Sequence, residues 1–96
     1  MILEVGFIPV LEGRKAEFET TINAAVENLL SKSEGYHGFT FHGWGVERPN
    51  VYMFSVKWET LEHHTVGFRE SDRFTEWRAL IGPFFDGAPL VEHFAV

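Results

Sequence analysis

The sequence predicts an α+β fold of the ferredoxin-like type, in which a four-stranded antiparallel sheet carries helices on one face. Three observations predict it. Apolar residues alternate in four short segments and recur at helical spacing between them. These segments follow one another in the order β-α-β-β-α-β, which is the split βαβ arrangement. The chain has 96 residues, about the size of one domain (1–96), and its 16% aromatic content favours a folded core.

The first strand and the first helix have the clearest patterns. A strand is predicted over 2–10, where β-forming residues dominate and Leu3, Val5 and Phe7 share one face. A helix is predicted over 14–33, because six apolar residues there keep the spacing of a single helix face. A glycine shortly after this segment is expected to end the helix.

A hairpin is predicted in the middle of the chain. Strands are expected over 39–47 and 51–58, and Pro49-Asn50 between them is a turn signal. Side chains alternate between the two faces of a strand. One face of the second of these strands therefore carries Tyr52, Phe54, Val56 and Trp58.

Two further helical segments and a strand complete the pattern. Thr60 can cap a short helix over 61–70. Ser71 can cap a second helix, which Gly82-Pro83 ends. The last strand is predicted over 89–96.

The predicted strands are apolar on both faces, and helices can cover only one of them. The first strand, for example, carries Leu3, Val5 and Phe7 on one side and Ile2 and Ile8 on the other. A large exposed apolar face usually marks an interface. We therefore expect a homodimer in which two sheets meet face to face.

Composition and charge argue against several kinds of partner. Fourteen acidic and eight basic residues give a net charge of −6 without a basic cluster, which argues against nucleic acid and against an anionic membrane surface. The chain has no run of about 18 apolar residues that could cross a membrane. Residues 1–10 lack the basic start of a secretory signal, and there is no cysteine. A cytoplasmic location is therefore expected.

Histidine and arginine are the candidate chemical groups. His64 borders the apolar face of the short helix, so it can act as a general base in a pocket or be a half-exposed structural histidine. His42 could reach either face of its strand, and His93 is a further candidate for a ligand contact. Arg78 can orient an anionic substrate or remain a solvated charge. His63 is adjacent to His64 and points in a different direction on a helix, so no metal site is expected.

One stretch of the sequence resembles a known family. Residues 56–71 read VKWETLEHHTVGFRES, and Phe74 and Trp77 follow them. A strand that ends in Trp58, the short helix, the serine and the two later aromatic residues together resemble the antibiotic biosynthesis monooxygenase (ABM) domain. The resemblance extends over the whole chain in length and in element order, including the closing strand.

The resemblance implies a dimeric α+β barrel, in which each subunit has a pocket between the sheet and the helices. It also implies cofactor-independent oxygenation of a phenolic, quinol or polyketide-like aromatic. In such a reaction the protein binds the aromatic and helps to deprotonate it, and the electron-rich anion reacts with oxygen directly. No cofactor is expected on this basis.

Two residue patterns within the family bear on the activity. Haem-degrading members pair an Asn on the first strand with the Trp of the third strand and an iron-binding His. Here Trp58 matches, whereas the other two positions fall on Phe7 and on or near Arg78, so haem degradation is not expected. Polyketide-oxidising members place an Asn four residues before the Trp, where this chain has Phe54, and an Arg that Arg78 can match.

We therefore predict a pocket with an aromatic wall, with His64 as the base, Arg78 as the group that stabilises an anion, and His42 as a ligand contact. The predicted wall consists of Phe7, Phe54, Trp58, Phe68 and Trp77. The expected partners are a small hydrophobic or aromatic ligand and a second copy of the chain. Two alternatives stay open: a non-oxidative cyclase or isomerase on the same barrel, and a small hydrophobic-ligand-binding protein without catalysis.

Overall fold

Four strands and two α-helices follow one another in the predicted order in a computed structural model that describes residues 1–96. They are β1 (Ile2–Pro9), α1 (Lys15–Asn28), β2 (Tyr36–Trp44), β3 (Val51–Trp58), α2 (Asp72–Ile81) and β4 (Leu90–Ala95). The sheet is antiparallel throughout, in the order β2-β3-β1-β4, with both helices on one face, and the ferredoxin-like fold class is confirmed. None of the helices has the length and the apolar run needed to span a bilayer.

The largest differences from the predicted boundaries are in α1 and in β2, which ends at Trp44 and not at residue 47. The predicted helix 14–33 ends at Asn28, and a tighter 3₁₀ turn, Leu30–Lys32, follows it and buries the Leu30 side chain. The second strand begins at Tyr36, three residues earlier than predicted. Two register shifts against β3 interrupt its early part, so a search for strict alternation misses its start.

The predicted short helix 61–70 is wound more widely, as a π-helical turn over His63–Phe68. Thr60 caps its start as predicted, because its Oγ1 accepts a hydrogen bond from the His63 N–H at 3.2 Å. At its end the Arg69 N–H donates to the His64 carbonyl, five residues back, at 3.1 Å. Turns of this kind are frequent at functional sites.

The core lies between the sheet and the helices, where sixteen hydrophobic residues are buried. From α1, the ring of Phe18 meets the rings of Trp44, Tyr52 and Phe84 edge-on, with centroids 6.1, 5.2 and 5.7 Å away. Edge-to-face pairs are favourable beyond the area they bury. This packing fixes α1 over the β2–β3 half of the sheet, and α2 lies over the remainder.

The opposite face of the sheet carries no helix and is largely apolar. Phe7, Phe41 and Met53 line a shallow concavity there. The exposed fraction of Phe41 is 63%, and Leu90 and Phe94 on β4, which pair with residues of this face, are 57% and 50% exposed. The sheet is therefore apolar on both faces, as the strand patterns predict.

The close approach of Phe54 to Gly6 gives a test of the packing. A Cβ atom added at Gly6 would overlap the Phe54 ring, whereas one added at Gly82 would meet no atom within 4 Å. We expect Gly6→Ala to lower the free energy of unfolding by about 1–3 kcal/mol in urea titrations. Gly82→Ala, the control, should change it by less than about 1 kcal/mol.

Combining Gly6→Ala with Phe54→Leu should recover part of the loss, because the shorter side chain leaves room for the new methyl group. Equal losses at the two glycines would contradict this account of the packing.

Candidate active site

A cavity of about 380 Å³ lies between the sheet and the part of the chain that contains the π-helical turn and α2. Ten of the fifteen residues that line it are hydrophobic. Its apolar wall includes Ile8, Phe54, Phe68, Phe74, Trp77 and Ile81, and its polar side chains are those of Glu4, His64, Arg69 and Arg78. A cavity of this size and composition suits a small, largely apolar ligand.

One side of the cavity is built by α2. Ser71 caps this helix as predicted, because its Oγ accepts a hydrogen bond from the Phe74 N–H at 3.3 Å. Residues three and four positions apart then share a helix face. That spacing brings Trp77 and Ile81 to the cavity, with Arg78 beside them.

The π-helical turn builds a second side. His64 and Phe68 are both buried, and their rings lie nearly parallel, with centroids 6.2 Å apart. The His64 ring also stacks on Trp58, with centroids 5.3 Å apart and an angle of 19° between the planes. The Trp58 and Phe68 centroids are themselves 6.0 Å apart, so the imidazole packs into a cluster of three neighbouring rings.

Glu4 is the only acidic residue of β1, and it points toward the helices with an exposed fraction of 5%. Its Oε1 accepts a hydrogen bond from Trp58 Nε1 at 2.8 Å, and the same oxygen lies 3.3 Å from His64 Nε2. Both contacts use Oε1, so Oε2 is left for a ligand in the cavity.

The polar chain continues to β4. Nδ1 of His64 lies 2.7 Å from Nε2 of His93, a hydrogen bond in which one ring nitrogen donates and the other accepts. His93 is the cross-strand neighbour of Glu4 and is half-buried. A continuous line of polar contacts therefore leads from the buried Trp58 through Glu4 and His64 to His93.

Burial shifts the pKa values of this group. It raises the pKa of Glu4 from 4.5 to about 7, against the lowering effects of the Trp58 hydrogen bond and of Arg69. Burial, together with the charges of Arg69 and His93, lowers the pKa of His64 from 6.5 to about 3. Burial and Arg69 also lower the pKa of His93. At neutral pH both imidazoles are uncharged, so the 3.3 Å Glu4–His64 contact is not an ion pair.

Two arginines add positive charge to the cavity. Arg69 follows the π-helical turn, Arg78 lies on α2, and both are exposed while they line the cavity. The Arg78 guanidinium lies 6.0 Å from the centroid of the Phe74 ring. An anionic group of a bound aromatic would meet these cations, whereas its rings would lie against the apolar wall.

Five of the predicted site residues line this cavity: His64, Arg78, Phe54, Phe68 and Trp77. Trp58 does not. It is fully buried behind His64, which covers one face of its ring, while Glu4 takes its N–H. The expectation that Trp58 forms part of the pocket wall is therefore corrected: it supports the two polar residues at the cavity.

Phe7 and His42 also lie elsewhere. Phe7 is on the uncovered face of the sheet, because Glu4, Gly6 and Ile8 are the β1 residues that face the helices. Placing Phe7 in the pocket was therefore wrong. His42 is on the helix side of the sheet but exposed at the β2 edge, with its ring 5.3 Å from that of Phe39, and it does not line the cavity. No three His, Asp or Glu side chains are grouped so that they could hold a metal ion.

The polar residues that the sequence analysis missed or undervalued are Glu4, Arg69 and His93. The sequence contains one indication of a site at Glu4, because this residue is the only carboxylate in an otherwise apolar strand. A charged residue at such a position is unexpected unless its side chain has partners. Its partners come from β3, β4 and the π-helical turn, and the sequence does not show that these segments meet.

Comparison with known proteins agrees with this fold. The sequence profile of the antibiotic biosynthesis monooxygenase family matches residues 1–80. The chain belongs to this family. The chain is also 36% identical over 96 residues to the uncharacterized protein YczJ of Bacillus subtilis, a match that covers 98% of this chain and 97% of YczJ.

Solved structures of antibiotic biosynthesis monooxygenases have the same fold. A crystal structure from Bordetella bronchiseptica, named for this family, is 37% identical with a TM-score of 0.91, covering 99% of this chain and 95% of the other. SnoaB, a cofactor-independent oxygenase from Streptomyces nogalater, is 15% identical with a TM-score of 0.80, covering 99% and 91%. The second likeness concerns the fold alone.

The raised pKa of Glu4 predicts a particular dependence of stability on pH. Between about pH 4.5 and about pH 7 the folded protein holds a proton on Glu4 that the unfolded chain has lost, so this group makes stability fall as the pH rises. His64 has the opposite effect between about pH 3 and about pH 6.5, because there the unfolded chain holds the extra proton. In the native protein the two slopes oppose each other where the ranges overlap.

In Glu4→Gln the Glu4 contribution to the pH dependence of stability is absent, and the His64 contribution remains. We expect the free energy of unfolding of this variant, relative to that of the native protein, to increase by roughly 3 kcal/mol from about pH 4.5 to about pH 7, measured by urea unfolding at several pH values. Glu76→Gln, which replaces an exposed glutamate of α2, is the control and should show no such trend. Parallel pH profiles for native protein and Glu4→Gln would contradict the assignment.

Proposed function

We propose that the chain is a cofactor-independent monooxygenase that oxidises a small phenolic or quinol-type aromatic in the cavity. The observation that carries the proposal is the Glu4–His64 pair, in which a carboxyl with a pKa of about 7 lines a largely apolar cavity. Membership of the family and the likeness in fold to a cofactor-independent oxygenase support it.

The reaction needs a base because the phenolate gives an electron to oxygen far more readily than the neutral phenol. After deprotonation, the anion transfers one electron to oxygen, and the two radicals combine into a ring peroxide. Loss of water from the protonated peroxide gives the quinone. The phenol supplies all four electrons: one oxygen atom enters the product, and the other leaves as water.

Three groups of side chains would share this work. Glu4, through its Oε2, would take the phenolic proton, with His64 in contact with its Oε1. Arg78 and Arg69 would hold the phenolate. The wall that includes Phe54, Phe68 and Trp77 would hold the ring and keep water out.

The same acid–base pair could serve a non-oxidative reaction such as a cyclisation or an isomerisation, and oxygen uptake separates the two. With a panel of phenols and quinols, we expect oxygen consumption equal to the quinone formed.

Arg78→Gln should lower kcat/KM by about 10-fold or more, because it removes a charge that stabilises the anion. Arg73→Gln, on the same helix but outside the cavity lining, is the matched control and should leave it unchanged.

Turnover of a panel member without oxygen uptake would favour the non-oxidative enzyme. Binding without any turnover would favour a ligand-binding protein.

We further propose that the uncovered sheet face pairs with that of a second copy, and that the protein acts in the cytoplasm. The exposed apolar side chains of this face support the dimer, since a monomer rarely leaves so large an apolar surface in water. The absence of cysteine is compatible with the location.

Light scattering tests the dimer directly, and we expect twice the chain mass of 11.0 kDa. Phe41→Glu places a charge on the proposed interface and should give monomers at low micromolar concentration. Leu80→Glu, which alters an exposed leucine of α2 away from this face, should remain dimeric. Monomeric native protein, or equal effects of the two substitutions, would overturn the proposal.

A further inference from the structure

The polar chain behind the cavity uses both nitrogens of a buried imidazole. His64 Nε2 lies 3.3 Å from Glu4 Oε1, and His64 Nδ1 lies 2.7 Å from His93 Nε2. We propose that Glu4, His64 and His93 form a proton wire that connects the cavity with solvent, and that His93 is its outer end. This inference deepens the proposed function, on which its catalytic role rests.

The geometry allows each imidazole to accept a proton on one nitrogen while it releases another proton from the second. With Glu4 ionised, His64 Nε2–H donates to Glu4 Oε1, and His93 Nε2–H donates to His64 Nδ1. A solvent proton that binds His93 Nδ1 then moves each proton one place inward. The result is a neutral Glu4 carboxyl whose O–H donates to His64 Nε2, and two neutral rings with their protons on Nδ1.

The protons balance in both directions. One proton enters at His93 for each proton that reaches Glu4, and the reverse shift releases one. Glu4 is the only group whose charge differs between the two end states, so a concerted shift needs no imidazolium ion. This matters because the charged form of His64 would be buried among the aromatic rings of Trp58 and Phe68.

The surrounding charges favour the same route. The titratable and charged groups that face the wire are Arg69, which follows the π-helical turn, and Arg78 from α2. Both are cations, and Arg69 lowers the pKa of His64 and of His93. Positive charge on either ring is therefore disfavoured, whereas the shift between neutral tautomers is not penalised.

The wire would connect Glu4 with solvent when a bound ligand closes the cavity to water. An aromatic molecule against the apolar wall would exclude water from Glu4 on the cavity side. The neutral carboxyl would take the ligand's proton on Oε2 while Oε1 releases its own proton to solvent through the two histidines. The reverse shift would return a proton to Oε1 when Oε2 gives one back to the ligand.

The tautomers can be observed without a substrate by ¹⁵N NMR of the labelled imidazoles. Across the titration of Glu4, we expect the bound proton of His64 to move from Nε2 at high pH to Nδ1 at low pH, with His93 changing in parallel. The His64 ring should not become imidazolium between about pH 8 and about pH 5. In Glu4→Gln the switch should be absent, and His63→Gln, which alters the neighbouring histidine outside the wire, should retain it.

An imidazolium signal from His64 in this pH range, or a His64 tautomer that stays fixed while Glu4 titrates, would overturn the wire. The second result would mean that Glu4 takes its proton on Oε2 without involving the histidines.

Turnover gives an independent measurement. His93→Gln should lower kcat by at least about 10-fold and leave KM nearly unchanged, and free imidazole in the buffer should restore part of the rate. A structural role of His93 would not give rescue by imidazole. Unchanged kcat in this variant would overturn the wire while leaving the oxygenase standing. If the tautomers switch but the chain consumes no oxygen with any phenol, the wire stands and the oxygenase is overturned.

Discussion

The burial of one carboxyl group is the constraint on which the candidate site depends. Glu4 comes from the central strand β1 and points into an apolar core in which seven of the sixteen buried hydrophobic residues are aromatic. Burying a carboxylate without partners would cost several kcal/mol, so the neighbouring segments have to supply hydrogen bonds. Trp58 donates such a bond, His64 lies 3.3 Å from the same oxygen, and His93 extends the network through its bond to His64. One buried oxygen therefore ties two strands to the π-helical turn.

The aromatic packing and this polar network support each other. Trp58 is fully buried, and its N–H needs an acceptor that a purely apolar core would lack. Glu4 provides that acceptor, while the ring of Trp58 provides the surface on which His64 stacks. The residue that resembles the family's characteristic Trp therefore acts here by positioning a carboxyl and an imidazole behind the cavity.

The same low-polarity surroundings explain why a carboxyl rather than a histidine is suited to acid–base work here. Burial disfavours every charged form, so it moves the pKa of an acid up and that of a base down. Burial raises the pKa of Glu4 to about 7 and lowers that of His64 to about 3. His64, which the sequence suggested as the base, thus remains neutral. Its two ring nitrogens contact different partners, Glu4 and His93.

The sequence by itself determined the order of the elements, the two helix caps and the apolar character of both sheet faces. Each of these depends on local spacing, such as Ser71 before its helix or the alternation along β3. Alternation in β1, however, did not reveal which face was inward: the more apolar set with Phe7 faces outward, and the set with Glu4 faces the helices. Only the tertiary structure decided this, because the cost of an inward carboxyl is offset by contacts with Trp58 and His64. Trp58 lies 54 residues further along the chain, and His64 belongs to the π-helical turn. The physical reason is that periodicity reports how apolar a face is, whereas a polar site is made by partners brought together from distant segments.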